Sequence, residues 1–148
     1  MPRILVVDDE PMIRRLISAT LLDEGHEVVG AGNGREALVL IAEEVPDLIV
    51  LDLAMPEMDG WRFLEELYAR GLRKQTRVVI VSGNLDRDAR RRGQGQAVSH
   101  FLDKPFEPEA LVTMVNEALA TDADALAVQH DRSNELMKLI DKVDRVLS

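Results

Sequence analysis

The chain has 148 residues, 46% of them hydrophobic and 30% charged, with no cysteine and a net charge of −9. A single globular domain fits that length and composition, and the acidic balance argues against a bulk surface that binds nucleic acid. The missing cysteines exclude disulfides and thiolate-held metals, no apolar run is as long as a membrane span, and no signal peptide opens the chain, which makes the cytoplasm the expected compartment.

In chain order, Ile4, Leu5, Val6 and Val7 form a continuous apolar run, the pattern of a strand buried on both faces. A helix follows, with Ile13, Leu16, Ile17, Thr20 and Leu21 at helical spacing. Asp9 is its expected cap, Pro11 lies in its first turn and Gly25 past its end. Residues 27–30 read as a weaker second strand. Asn33 to Glu36 form a capping box ahead of Ala37, Leu38, Ile41 and Ala42 on one helical face. Leu48, Ile49, Val50 and Leu51 make a third, strongly apolar strand. Asp59 and Gly60 start a helix that carries Phe63, Leu64 and Leu67 and is closed by Gly71. Residues 78–81 are the fourth strand, and 101–102 lie in a short fifth. Between them, residues 85–99 hold Gly93, Gly95 and four arginines, which predicts a short or frayed helix. Pro108 opens a helix with Leu111, Met114, Val115, Ala118 and Leu119 on one side.

Five strands alternating with helices predict a doubly wound parallel sheet in the flavodoxin-like order 2-1-3-4-5. Residues 1–120 are read as this domain and 121–148 as a C-terminal helical extension, with cap candidates from Thr121 to Asp124. In the extension Leu136, Ile140, Val143 and Leu147 form a narrow apolar stripe, widened by Met137, Leu139 and Val146. That stripe needs burial, either on the domain itself or against the same helix of a second chain in a homodimer.

Open parallel sheets bind ligands beyond the carboxyl ends of their strands. The polar residues that follow each apolar run are therefore the candidates: Asp8 and Asp9 after the first, Asp52 after the third, Ser82 after the fourth and Lys104 after the fifth. Three carboxylates brought together repel one another, and a hard divalent cation such as Mg²⁺ relieves the repulsion. An aspartate can act as a nucleophile toward phosphorus, and Lys104 and Ser82 suit the task of spreading the charge of a transferring phosphoryl group.

The segments Ile4-Leu5-Val6-Val7-Asp8-Asp9-Glu10, Asp52-Leu53-Ala54-Met55-Pro56-Glu57-Met58-Asp59-Gly60, Val81-Ser82-Gly83 and Phe101-Leu102-Asp103-Lys104-Pro105-Phe106 resemble the receiver domain of bacterial two-component response regulators, in order and spacing. The resemblance covers residues 3–120. It implies phosphotransfer from a histidine kinase or phosphotransfer protein to Asp52, in a phosphoprotein that assists its own phosphorylation and dephosphorylation. It implies Mg²⁺ on Asp8 or Asp9, Asp52 and the backbone carbonyl of Ala54. Ser82 and Lys104 would hold the phosphoryl oxygens, and Ser82 and Phe101 would form the conformational switch, with Phe101 as the aromatic that swings inward. A cis Lys104–Pro105 bond is implied as well.

Other readings fit less of the sequence. A pseudo-receiver that signals by docking alone is the alternative, but all five site residues are present. An aspartate-nucleophile phosphatase needs an acidic residue two positions past the nucleophile, where Ala54 stands. Few residues follow Ala120, so a DNA-binding output domain is not expected. His26, His100 and His130 are too scattered for a metal cluster. Ala97-Val98 replaces the family's usual Gly-Ala, which together with the weakened fourth helix sets the output surface apart from the family's.

Overall fold

The computed structural model describes residues 1–98 and 100–121, and seven residues of the extension: Leu136, Leu139, Ile140, Lys142, Val143, Arg145 and Val146. The expected caps at 122–124, and Met137 and Leu147 of the apolar stripe, lie outside the described residues. The elements run β1 (Arg3–Val7), α1 (Pro11–Asp23), β2 (Glu27–Ala31), α2 (Gly34–Glu43), β3 (Leu48–Leu51), α3 (Gly60–Ala69), β4 (Arg77–Ser82), α4 (Arg87–Gly95), β5 (Phe101–Asp103) and α5 (Pro108–Leu119). The strands form one sheet in the order β2-β1-β3-β4-β5, and every pair is parallel.

Alternation along the strands divides the core in two. Leu5, Val7, Ile49, Leu51, Val78 and Ile80 face the buried sides of α2 and α3, where Phe63 and Leu64 are fully enclosed. Ile4, Val6, Leu48, Val50, Val79 and Val81 face α1 and α5 through Ile17, Leu21, Leu111 and Val115. Truncating a side chain as enclosed as Phe63 to alanine costs about 3–5 kcal/mol.

Three helices begin on the side-chain caps their sequences offer. Asn33 accepts from the Glu36 N–H, Asp59 from the Arg62 N–H and Asp86 from the Ala89 N–H. The α4 helix is short, as expected, at nine residues. The start of α1 differs from the sequence reading. Glu10, not Asp9, holds the N-cap position, and its side chain makes no capping bond. Pro11 at the first turn has no N–H to satisfy, and the Glu10 N–H donates instead to Asp8 Oδ1 at 2.9 Å. Asp9 is thereby released from capping. Leu16 and Ala42, expected on buried faces, are exposed.

Candidate functional site

Each site residue stands at or just past the carboxyl end of a strand, on the same edge of the sheet. The ladder extends one step past β1 and β3: the Asp8 N–H donates to Ala31 O at 3.1 Å, and the Asp52 N–H to Val7 O at 2.9 Å. The backbone of both aspartates is thereby held in the ladder, and both residues are buried, Asp8 at 1% exposure and Asp52 at 5%. Gly60 lets the start of α3 close over this edge. A Cβ there would lie 2.6 Å from Asp52 O and 2.8 Å from Leu53 Cα, both unyielding backbone. On the other side the Lys104 N–H donates to Ser82 O at 3.0 Å, which fixes the lysine against the end of β4. The Lys104–Pro105 bond is cis.

The Lys104 ammonium bonds Asp8 Oδ2 at 2.7 Å, and reaches Asp52 Oδ2 and Glu10 Oε1 at 3.4 Å each. Burial, reinforced by the charge of Asp8, pushes the Asp52 carboxyl above the ordinary carboxylate range; Lys104 and the Ala54 N–H pull the other way without cancelling it. Burial alone would lower the Lys104 ammonium, but Asp8, Asp52 and Glu10 outweigh it and hold it above its ordinary value. Lysine therefore stays charged over the working pH range. A cleft of about 460 Å³ opens here, lined among others by Asp9, Asp52, Ala54, Ser82, Asn84 and Lys104. A larger groove between α1 and α5 brings no comparable set of charges together.

The five residues singled out in the sequence converge. One more joins them. Glu10 places a carboxylate oxygen among those of Asp8, Asp9 and Asp52, all four within 4.8 Å of one another. A third acid running on from Asp8 and Asp9 was the available signal. An all-oxygen, all-anionic donor set of this kind suits a hard cation such as Mg²⁺. Phe101 is not in the cleft; it is half-buried on β5 and packs toward α4.

A family model described as response regulator receiver domain matches residues 4–116. The chain belongs to that family. As a receiver domain it is similar to Protein PilH of Pseudomonas aeruginosa, at 32% identity over 120 residues that make up 81% of this chain and 99% of that protein. It is 37% identical over 119 residues to the probable transcriptional regulator ycf27 of Porphyra purpurea, covering 79% of this chain and 47% of that protein. The chain thus spans about half the length of that relative. Among solved structures, the chemotaxis protein CheY4 of Vibrio cholerae superposes with a TM-score of 0.75 at 32% identity, covering 80% of this chain and 98% of that one. Receiver domains of this family are regulators in two-component signalling, not members of a catalytic enzyme class. Among the described residues no helix is long and apolar enough to cross a membrane.

Proposed function

We propose that residues 1–120 are a phosphoacceptor that takes a phosphoryl group from a histidine kinase or phosphotransfer protein onto Asp52. The observation that carries this reading is the buried Asp52 carboxylate at an open cleft, with the Lys104 ammonium 3.4 Å away. An Asp52 oxygen forms the new bond to phosphorus as the bond to the donor's nitrogen breaks, and the donor leaves with the electron pair and takes up a proton. Lys104 and the Ser82 hydroxyl receive the charge that develops on the phosphoryl oxygens. Asp8, Asp9, Asp52 and the Ala54 carbonyl would hold Mg²⁺, which when bound neutralises charge on both carboxylates and phosphoryl group. Asn84, at the rim of the cleft, offers an amide to orient water for the return reaction, while Ala54 offers no such group; self-dephosphorylation is accordingly slow to intermediate.

Ser82 and Phe101 serve as the switch between phosphorylated and unphosphorylated forms. The extension at 121–148 serves self-association, and the cytoplasm is the compartment in which the domain meets its kinase. Mass spectrometry after incubation with acetyl phosphate and Mg²⁺ is the direct test. A single phosphoryl adduct, lost in Asp52→Asn and in the presence of chelator, is expected; full labelling of Asp52→Asn overturns the assignment.

A further inference from the structure

The α4 helix has almost no apolar side chains. Its nine residues include four arginines, and Gly93 is the only one buried. Surface helices ordinarily hold to a sheet by an apolar stripe, so α4 must be attached by other means. Three arginines supply them. Arg92 stacks on Trp61 of α3, its guanidinium carbon 4.5 Å from the ring centroid. Buried Arg73, in the turn before β4, donates through Nη2 to Gln96 O at 3.2 Å and Ala97 O at 2.9 Å, holding the helix end. Arg90 donates through Nη2 to Asp103 Oδ2 at 2.8 Å and lies 5.6 Å from the Phe101 ring centroid.

The ring of Phe101 fits a notch. A Cβ at Gly93 would meet Phe101 Cε1 at 2.5 Å and Cζ at 2.6 Å, so the ring occupies space that only glycine leaves free. Arg90, one turn earlier on α4, contributes a cation to the same ring. Asp103, the other partner of Arg90, is the register partner of Ser82 across β4 and β5, and Lys104 follows it in the chain. One guanidinium therefore touches both the aromatic in α4's notch and the end of β5, which pairs with Ser82 of β4 and leads directly into Lys104.

We propose that Arg90 is a positioning residue for the phosphoacceptor site: it seats Phe101 in the Gly93 notch and anchors Asp103, so that a shift of Ser82 and Lys104 toward a phosphoryl group is coupled to release of the ring from α4. The inference rests on Asp52 as phosphoacceptor and names the regulation of that site. A contact made only in the seated form biases the domain toward it, and removing the contact shifts the population toward the released form. Arg90 thus restrains phosphorylation.

The test uses the full chain with 4-fluorophenylalanine at its three phenylalanines, the Phe101 signal being assigned through Phe101→Leu. In Arg90→Gln the Phe101 fluorine signal moves, and Asp52 labelling by acetyl phosphate quickens about two- to tenfold, the range set by one cation–π contact and one surface ion pair. Arg90→Lys keeps the cation and returns both readouts toward the parent protein. Gly93→Ala fills the notch and moves the same signal while leaving Arg90 in place. An unmoved Phe101 signal and an unchanged rate in Arg90→Gln overturn the proposal, as does an Arg90→Lys chain that behaves like Arg90→Gln. Failure of the parent chain to label at Asp52 overturns the phosphoacceptor reading instead, and the fluorine signals of the unphosphorylated variants still decide whether Arg90 seats the ring.

Discussion

Lys104 Nζ stands 2.7 Å from Asp8 Oδ2 but 3.4 Å from Asp52 Oδ2, so its shorter bond is to a candidate cation ligand and not to the candidate nucleophile. A divalent cation and the Lys104 ammonium therefore compete for one carboxylate. Lys104→Met removes the competitor and a nearby positive charge. Mg²⁺ affinity, read by isothermal titration on the full chain, is expected to rise several-fold, since a unit charge at this range acts on the order of 1 kcal/mol or more. Labelling of Asp52 is expected to fall at least tenfold in the same variant, because the phosphoryl oxygens lose their point charge. Weaker Mg²⁺ binding in Lys104→Met would contradict the competition.

The Asp52 carboxyl has a pKa raised by burial and by Asp8. A raised folded-state pKa means that the native state holds this proton more tightly than the unfolded chain does. Its stabilising effect is present at low pH and is lost as pH rises through the folded pKa, leaving a buried charge that costs stability at neutral pH. Asp52→Asn is thus expected to raise Tm by a few degrees at pH 7 in Mg²⁺-free buffer. Lys104 keeps Asp8 and Glu10 as partners in that variant. The gain should shrink as the pH is lowered and the parent Asp52 takes up its proton. Thermal melts at successively lower pH check it, and a gain that grows toward acid would show the sign to be wrong.

Much of this arrangement is legible in the chain before it folds. Runs such as Ile4 to Val7 and Leu48 to Leu51 are apolar on every residue, which only a sheet covered on both faces explains, and each ends in the polar residue that reaches the cleft. Convergence of Asp8, Asp52, Ser82 and Lys104 follows from parallel strand direction alone. The residues that escape such reasoning act through shape or through backbone atoms. Glu10 reads as a loop acid until Pro11 fixes the start of α1 behind it. Gly93 reads as a weak point in a helix, because its use depends on a ring eight residues away that packs where a Cβ would be. Arg73 lies in no periodic pattern at all; its partners are two carbonyls.

Arg73 carries a prediction of its own. Its guanidinium is buried, with a pKa lowered to about 10 by that burial, and Nη1 has no hydrogen-bond partner among the described residues. The two bonds from Nη2 end at Gln96 and at Ala97, which holds a left-handed φ of 63°. Arg73→Met is close in shape and removes the donor from both carbonyls, so a loss of about 1–3 kcal/mol is expected from the unsatisfied groups. Hydrogen exchange should quicken in α4 and the turn after it, and stay unchanged in α1 and α5, which pack on the other face of the sheet. Urea unfolding together with exchange mass spectrometry reads both. Uniform quickening across all helices would mean that Arg73 stabilises the whole domain and not the end of α4.

The C-terminal extension makes the last prediction. Leu136, Ile140 and Val143 are helical, spaced i, i+4 and i+7, and 44–58% exposed; Leu139 and Val146 are exposed beside them. Such a seam is poorly stable in water by itself. These residues do not pack on the domain's own surface, and a second copy of the segment is the occupant we propose. The exit of the chain fits that arrangement. Arg77 Nε donates to Thr121 O at 2.6 Å, at the start of β4, so the end of α5 is tied to the edge of the sheet opposite the cleft. Association through the extension would leave Asp52 open to a phosphodonor. Sedimentation of the full chain is expected to show a concentration-dependent dimer, lost in Ile140→Asp and in a chain ending at Ala120. That shortened chain is a fair comparison, because Protein PilH is matched over 120 residues that form nearly its whole length. Labelling of Asp52 by acetyl phosphate should proceed at the same rate in dimer and monomer. If the full chain and the shortened chain both sediment as monomers at high concentration, the seam is not a dimer contact.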